Sequence, residues 1–141
     1  GHGVVTDTHV VWKHKGNVSR RPSVLLVGDL LFMVDDAGVA SCLEAKTGNG
    51  VWKERLGGNY SASPIDAGGK VYFFDQDGKA TVIKASREYQ VIGVNRLDDG
   101  FMASPAVSGN ALFLRTKSAL YCVENRPVRV GPALTTTAPG R

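Results

Sequence analysis

No apolar run in this chain approaches the roughly 20 residues that a membrane-spanning helix requires, and the longest uninterrupted stretches are only a few residues. Cysteine is scarce: Cys42 and Cys122 are the only two, too few for a disulfide framework. No G-x-S-x-G nucleophile pattern occurs, and no Gly-rich loop joins a strand to a helix as phosphate binding needs. A 3.6-residue apolar period is missing too, which argues against amphipathic helices. Basic residues outnumber acidic ones, 17 to 13, for a net charge of +4. They are scattered (Lys13, Lys15, Arg20, Arg21, Lys46, Lys53, Arg55) rather than gathered in the stripe of a nucleic-acid binder, so no nucleic-acid partner is expected. The opening GHG, without Met, reads as a vector remnant, and residues 1–8 as an N-terminal extension.

What is present is globular: 43% hydrophobic and 21% charged residues in a length that suits one domain. Seventeen Gly and six Pro supply turns. The chain repeats itself. Trp12 in HVVWKHK and Trp52 in NGVWKER are 40 residues apart, and Ile92 in QVIGVNR is 40 further on. Gly38, Gly78 and Ser118 follow the same shift. Val39–Leu43 matches Lys79–Ile83 and Ala119–Val123, and Leu31–Val34 matches Val71–Phe74 and Ala111–Leu114. Upstream lie RPSV, ASPI and ASPA, with Pro22, Pro64 and Pro105. The runs are short, rich in β-branched and aromatic residues, and bounded by Gly, Asn, Asp and Ser, as strands are. Four strands per ~40–45 residues is the signature of a β-propeller. A two-layer sandwich is the alternative, with strands at similar spacing; the strict period favours the propeller.

ASCLEAKTGNGVWKERL, residues 40–56, resembles the repeat of the PQQ-like (quinoprotein-type) β-propellers, with Thr47, Gly48 and Trp52 at the family spacing and Glu44 where an Asp is usual. SASPI and ASPAV resemble the family's first-strand Ser-Pro signature. The resemblance covers about residues 10–124. The second repeat departs from it: Arg87-Glu88 replaces Thr47-Gly48, and Ile92 replaces Trp52. Physically, Gly48 suits a tight hairpin, Trp52 offers apolar area to bury between blades, and the small Ser-Ala-Ser-Pro residues suit a crowded innermost strand.

The expected fold is therefore all-β: about three four-stranded antiparallel blades in a partial propeller. The blades are placed over 19–56, 60–97 and 102–124, within a repeat region of 9–124. A strand over 9–14 completes a blade, and residues 125–141 form a C-terminal tail. Propellers close with roughly four to eight blades, so three leave apolar faces and an open edge. The third unit lacks a fourth strand while HVVWKHK is a spare one. Two readings follow: a strand-swapped homodimer making a six-bladed ring, or a piece of a larger propeller. RPVRVGP, residues 126–132, is a third source for the missing strand.

Most chemistry that the residue types offer is declined by their spacing. Asp75, Asp77 and Gly78 resemble a calcium loop, but Phe73 and Lys84 then fall at ligand positions that need oxygen donors. An Asp-Gly turn explains them better. His9 and His14 would face opposite sides of a strand, with no third ligand nearby. Cys42 and Cys122 sit at equivalent places two repeats apart and read as buried free thiols. Ser61, Ser63 and Ser104 recur with the Ser-Pro strands, which points to structure.

No catalytic, cofactor-binding or metal residue is therefore nominated. The PQQ-like resemblance implies a quinone and calcium near the propeller axis in the dehydrogenase branch, but no vicinal-cysteine or acidic cluster is available to hold them. The expectation is a non-enzymatic scaffold that binds a protein or small ligand through its loops. A fragment of a quinoprotein dehydrogenase is the alternative. An extracytoplasmic bacterial location is implied by the resemblance alone.

Overall fold

The protein is described by a computed structural model covering residues 3–125. A single helical turn, α1 (Thr6–His9), precedes eleven strands. The first sheet is β1 (Leu25–Val27), β2 (Leu30–Val34), β3 (Val39–Glu44) and β4 (Gly50–Arg55). The second is β5 (Ile65–Asp66), β6 (Lys70–Phe74), β7 (Lys79–Lys84) and β8 (Val91–Arg96). The third is β9 (Ala106–Ser108), β10 (Ala111–Arg115) and β11 (Leu120–Glu124). Each is an antiparallel meander in chain order. RPVRVGP and nearly all of the 125–141 tail lie outside the described residues.

The expected strand over 9–14 is not formed. Its first residue ends α1, and residues 10–14 belong to no ladder. A strand needs a partner for its backbone groups, and no described strand lies beside this segment. Trp12 is nonetheless fixed: its indole N–H donates to the Ala45 carbonyl at 3.0 Å.

The cores lie between sheets. Leu30, Phe32, Val34, Ala40 and Cys42 of the first sheet pack with Val71, Phe73 and Ile83 of the second and with Tyr60. Phe74 and Ala80 of the second pack with Leu114 of the third and with Ala62 and Phe101. Strands that are apolar on both faces follow from this layering, since the middle sheet is covered on both sides.

Register corrects two of the sequence equivalences. Cys42 pairs with Trp52, and Val82 pairs with Gly93. Gly93, not Ile92, therefore stands where Trp52 does. The cause is one extra residue in the β7–β8 loop: the Glu44 N–H bonds Asn49 O, whereas the Lys84 N–H bonds Gln90 O. The turn after β10 is one residue shorter instead. The Asp35 N–H bonds Val39 O and the Asp75 N–H bonds Lys79 O, but the Thr116 N–H bonds Ala119 O. Thr116, not Arg115, is thus the counterpart of Asp35 and Asp75.

Candidate functional site

Three recurring arrangements account for most of the side chains that looked chemically capable. The first is the buried turn acid. Asp75 Oδ1 accepts the N–H groups of Asp77 and Lys79 at 3.0 and 2.8 Å. Asp35 Oδ1 does the same for Ala37 and Val39 at 3.0 and 2.8 Å. Burial pushes the Asp35 carboxyl up, but the Val39 N–H, the Asn17 amide and the Ala37 N–H outweigh it, and the net shift is downward. Asp75 also faces the Lys79 ammonium at 3.6 Å. Asp75 thus holds a turn, as the Asp-Gly signal predicts, and both it and Asp35 are buried. In the third sheet Thr116 Oγ1 accepts the Ala119 N–H at 3.1 Å, so a hydroxyl suffices for the shorter turn.

The glycine that closes each longer turn has a second duty. At Gly78 (φ +89°) a Cβ would collide with the Leu97 carbonyl. At Gly38 (φ +82°) it would meet the Gly57 carbonyl at 2.7 Å. The linker to the next sheet crosses directly over the turn, and the Leu56 and Leu97 N–H groups bond the two glycine carbonyls at 2.8 and 2.9 Å.

The second arrangement is a serine ladder. The Ser23 N–H donates to Ser63 Oγ at 2.9 Å, and the Ser63 N–H donates to Ser104 Oγ at 2.9 Å. Each bond joins one sheet's leading segment to the next. The repeat is therefore set by serine rather than proline: Pro22 precedes its serine, while Pro64 and Pro105 follow theirs. Ser61 accepts from Gln76 Nε2 at 2.6 Å. Among the described residues, the Ser61, Ser63 and Ser104 hydroxyls each accept a hydrogen bond that ties one part of the arc to another.

The third is the tryptophan latch. Trp52 donates to the Ser86 carbonyl at 3.2 Å and lies 5.2 Å from Tyr89 and 6.0 Å from Phe32, ring centre to ring centre. Trp12 reproduces this one sheet earlier, bonded to Ala45 O and flat against Gly48, where a Cβ would come within 2.5 Å of the indole. Asn17 continues the docking by donating to Asp35 Oδ2 at 3.0 Å, and Lys53 bonds Asn17 Oδ1.

Arg87, whose position breaks the Thr-Gly pattern, bonds Asp29 and Glu44 of the first sheet at 2.7 Å each. Hydrogen bonding from Arg87 is the main force holding both carboxyls below their usual range. Such exposed pairs contribute little to stability. Nothing in the repeat pattern announced this link, because it depends on a residue that departs from the pattern.

The two thiols differ. Cys42 is buried, and burial pushes its thiol up to about 11. Cys122, expected to be buried, is exposed, because no fourth sheet covers the third among the described residues. His9 Nδ1 is 2.6 Å from Thr8 Oγ1 in α1, and His14 lines a surface cleft beside Ser41 and Leu43. Among the described residues no group of three His, Cys, Asp or Glu side chains is placed to hold a metal. The described residues do not fit a quinone–calcium pair: the buried Asp35 and Asp75 oxygens are taken by backbone N–H groups, the Asn17 amide and the Lys79 ammonium, and the cysteines stand on different sheets.

What remains open is surface. The third sheet turns Val107, Leu120, Tyr121 and Val123 to solvent, with Leu120 72% exposed. A 270 Å³ cleft lined by Tyr72, Phe74, Leu112 and Leu114 separates it from the second sheet.

A family model described as outer membrane protein assembly factor BamB matches residues 4–89. The chain belongs to this PQQ-like, BamB-type repeat family. Solved structures of similar fold include BamB from Moraxella catarrhalis, at 16% identity and TM-score 0.56, over 66% of this chain and 28% of that one. Another is the quinohemoprotein alcohol dehydrogenase ADHIIG from Pseudomonas putida HK5, at 16% identity and TM-score 0.56, over 67% and 16%. A europium-containing methanol dehydrogenase matches at 14% identity and TM-score 0.54, over 64% and 19%. No curated protein matches. The β-propeller read from the repeat period and the PQQ-like family read from the resemblance of residues 40–56 are thereby established: the three sheets are blades of a partial β-propeller. The chain spans between about a sixth and a quarter of the length of these relatives. No described helix is long and apolar enough to cross a membrane.

Proposed function

We propose that the chain is a non-enzymatic PQQ-like propeller scaffold that binds a protein or ligand through its loops and works within a closed ring. The ring is reached by self-association, two chains giving six blades, or by the remainder of a larger propeller. One observation carries this reading: the acids and hydroxyls that recur at equivalent places in the blades are committed to holding turns and joining blades. Catalysis needs groups held free to act on a substrate. The family's description as an outer membrane assembly factor supports a protein partner and an extracytoplasmic bacterial setting. The dehydrogenases among the similar folds supply the rival reading, a piece of a quinoprotein enzyme. Adding quinone and calcium and following dye reduction with an alcohol substrate separates the two. The scaffold reading expects no turnover and no quinone spectral change; quinone-dependent dye reduction would overturn it.

A further inference from the structure

We infer that residues 10–15 of one copy add to β11 of a second copy as a fourth strand of the third blade, which has three strands among the described residues, with Trp12 opposite Cys122. This rests on the self-association reading above and gives it a seam and a register. Among the described residues β11 is an edge strand, whereas β3 and β7, its counterparts, each pair with a fourth strand. The segment able to fill that edge is at the other end of the same chain. HVVWKHK aligns with NGVWKER residue for residue, so Trp12 corresponds to Trp52, and Cys122 corresponds to Cys42, the partner of Trp52.

That register opposes His14 to Leu120 and Val10 to Val123, and it places Val11 at the bulge that Val51 occupies in the first blade. Val11, 87% exposed, and Leu120 would both be covered by it.

The segment is already seated for this role. Trp12 bonds the first blade as Trp52 bonds the second, although it has no sheet of its own behind it. A segment docked on the first blade and a third blade with no fourth strand among the described residues are complementary halves of one joint. The serine ladder fits the same junction. Its last member, Ser104, would present its N–H to Ser23 Oγ of the second copy, as Ser23 does to Ser63. Strand addition of this kind draws affinity from main-chain hydrogen bonds and specificity from alternate side chains.

The test uses the whole chain. Sedimentation equilibrium over a concentration series should give a mass above that of one chain. A Trp12→Cys/Cys122→Ser chain mixed with the unaltered chain under mild oxidation should yield a linked pair joining the introduced thiol to Cys122. Leu120→Glu, at an exposed position that leaves the cores intact, should raise the dissociation constant by about tenfold or more. An assembly that gives no such cross-link and ignores Leu120→Glu overturns the seam while leaving self-association in place. A single-chain mass at every concentration overturns both.

Discussion

Between the first and second blades, Trp52 lies against Phe32 and Tyr89 and latches the Ser86 carbonyl, while Arg87 reaches back to Asp29 and Glu44. Between the second and third, the register position of Trp52 holds Gly93, and an apolar cleft of 270 Å³ stays open. The two seams still share their central design. Phe32 and Phe73 are fully buried in one, and Phe74 meets Phe101 edge-on at 5.0 Å in the other. The contrast shows which parts of a repeated interface are obligatory. The aromatic centre recurs; the outer latch and the cross-blade ion pairs are additions that, among the described residues, one seam has and the other lacks.

The strongest way to break the contrast is to remove the latch. Trp52→Ala should cost about 3 kcal/mol, the lower end of the range for a buried large aromatic because the ring is only half-buried. Urea unfolding measures it, and Ile92→Ala, on an exposed residue of β8, should stay within about 0.5 kcal/mol. Next in size is the turn beneath the first seam. Asp75→Ala strips the acceptor from two N–H groups and removes the carboxylate facing Lys79, whose ammonium keeps its bond to the Leu56 carbonyl, for a loss of about 2 kcal/mol by the same measurement.

Building the latch where it is missing sharpens the comparison from the other side. A Cβ at Gly93 meets nothing within 4 Å, and its backbone is not in the left-handed region. Gly93→Trp should therefore stabilise the second seam by about 1 kcal/mol, visible as a higher Tm; a lower Tm would mean that the cleft cannot accept a ring.

The smallest effect concerns Tyr60 and its counterpart Phe101. Among the described residues the buried Tyr60 hydroxyl has no partner at ordinary hydrogen-bond geometry, and the nearby Thr81 hydroxyl only tempers its phenol. Burial first, and then the nearby Asp75 charge, raises its phenol above the ordinary value. Because the folded pKa is raised, its contribution is intact below about pH 10 and is lost as pH climbs past that, where the unfolded chain ionises and the fold resists. Tyr60→Phe should be neutral or stabilising by up to about 1 kcal/mol at pH 7. It should also flatten the alkaline limb of a Tm-against-pH curve. The acid limb belongs in part to Asp35, whose lowered carboxyl contributes above about pH 4 and fades below it.

The fold was legible because blade contacts repeat. A period of 40, the turn glycines Gly38 and Gly78 and the recurring apolar runs are what stacking blades require, and they survive in the residues. What was not legible were single-residue length changes. The extra residue between β7 and β8 moved the Trp52 position from Ile92 to Gly93, and the missing one after β10 moved the turn acid's position from Arg115 to Thr116. Apolar runs tolerate such slips without a visible break, so only hydrogen-bond register resolves them. The strand over 9–14 was misread for another reason: its residues carry strand character, but a strand is a property of a pair. Cys122 was misplaced because burial at an end blade depends on a neighbour, not on the residue. At the candidate sites, the turn role of Asp75 followed from the Asp-Gly signal, whereas Arg87 could be found only in space.

The serine ladder gives the arc a direction. In both bonds the amide lies on the earlier blade and the hydroxyl on the later one. Ser23 and Ser63 amides are thus committed, while the Ser104 amide belongs to an exposed residue at the donor end. Exchange with deuterated solvent reads this directly. The first two amides should exchange slowly and the third fast, and slow exchange at Ser104 would report, from one proton, that something has closed on the last blade.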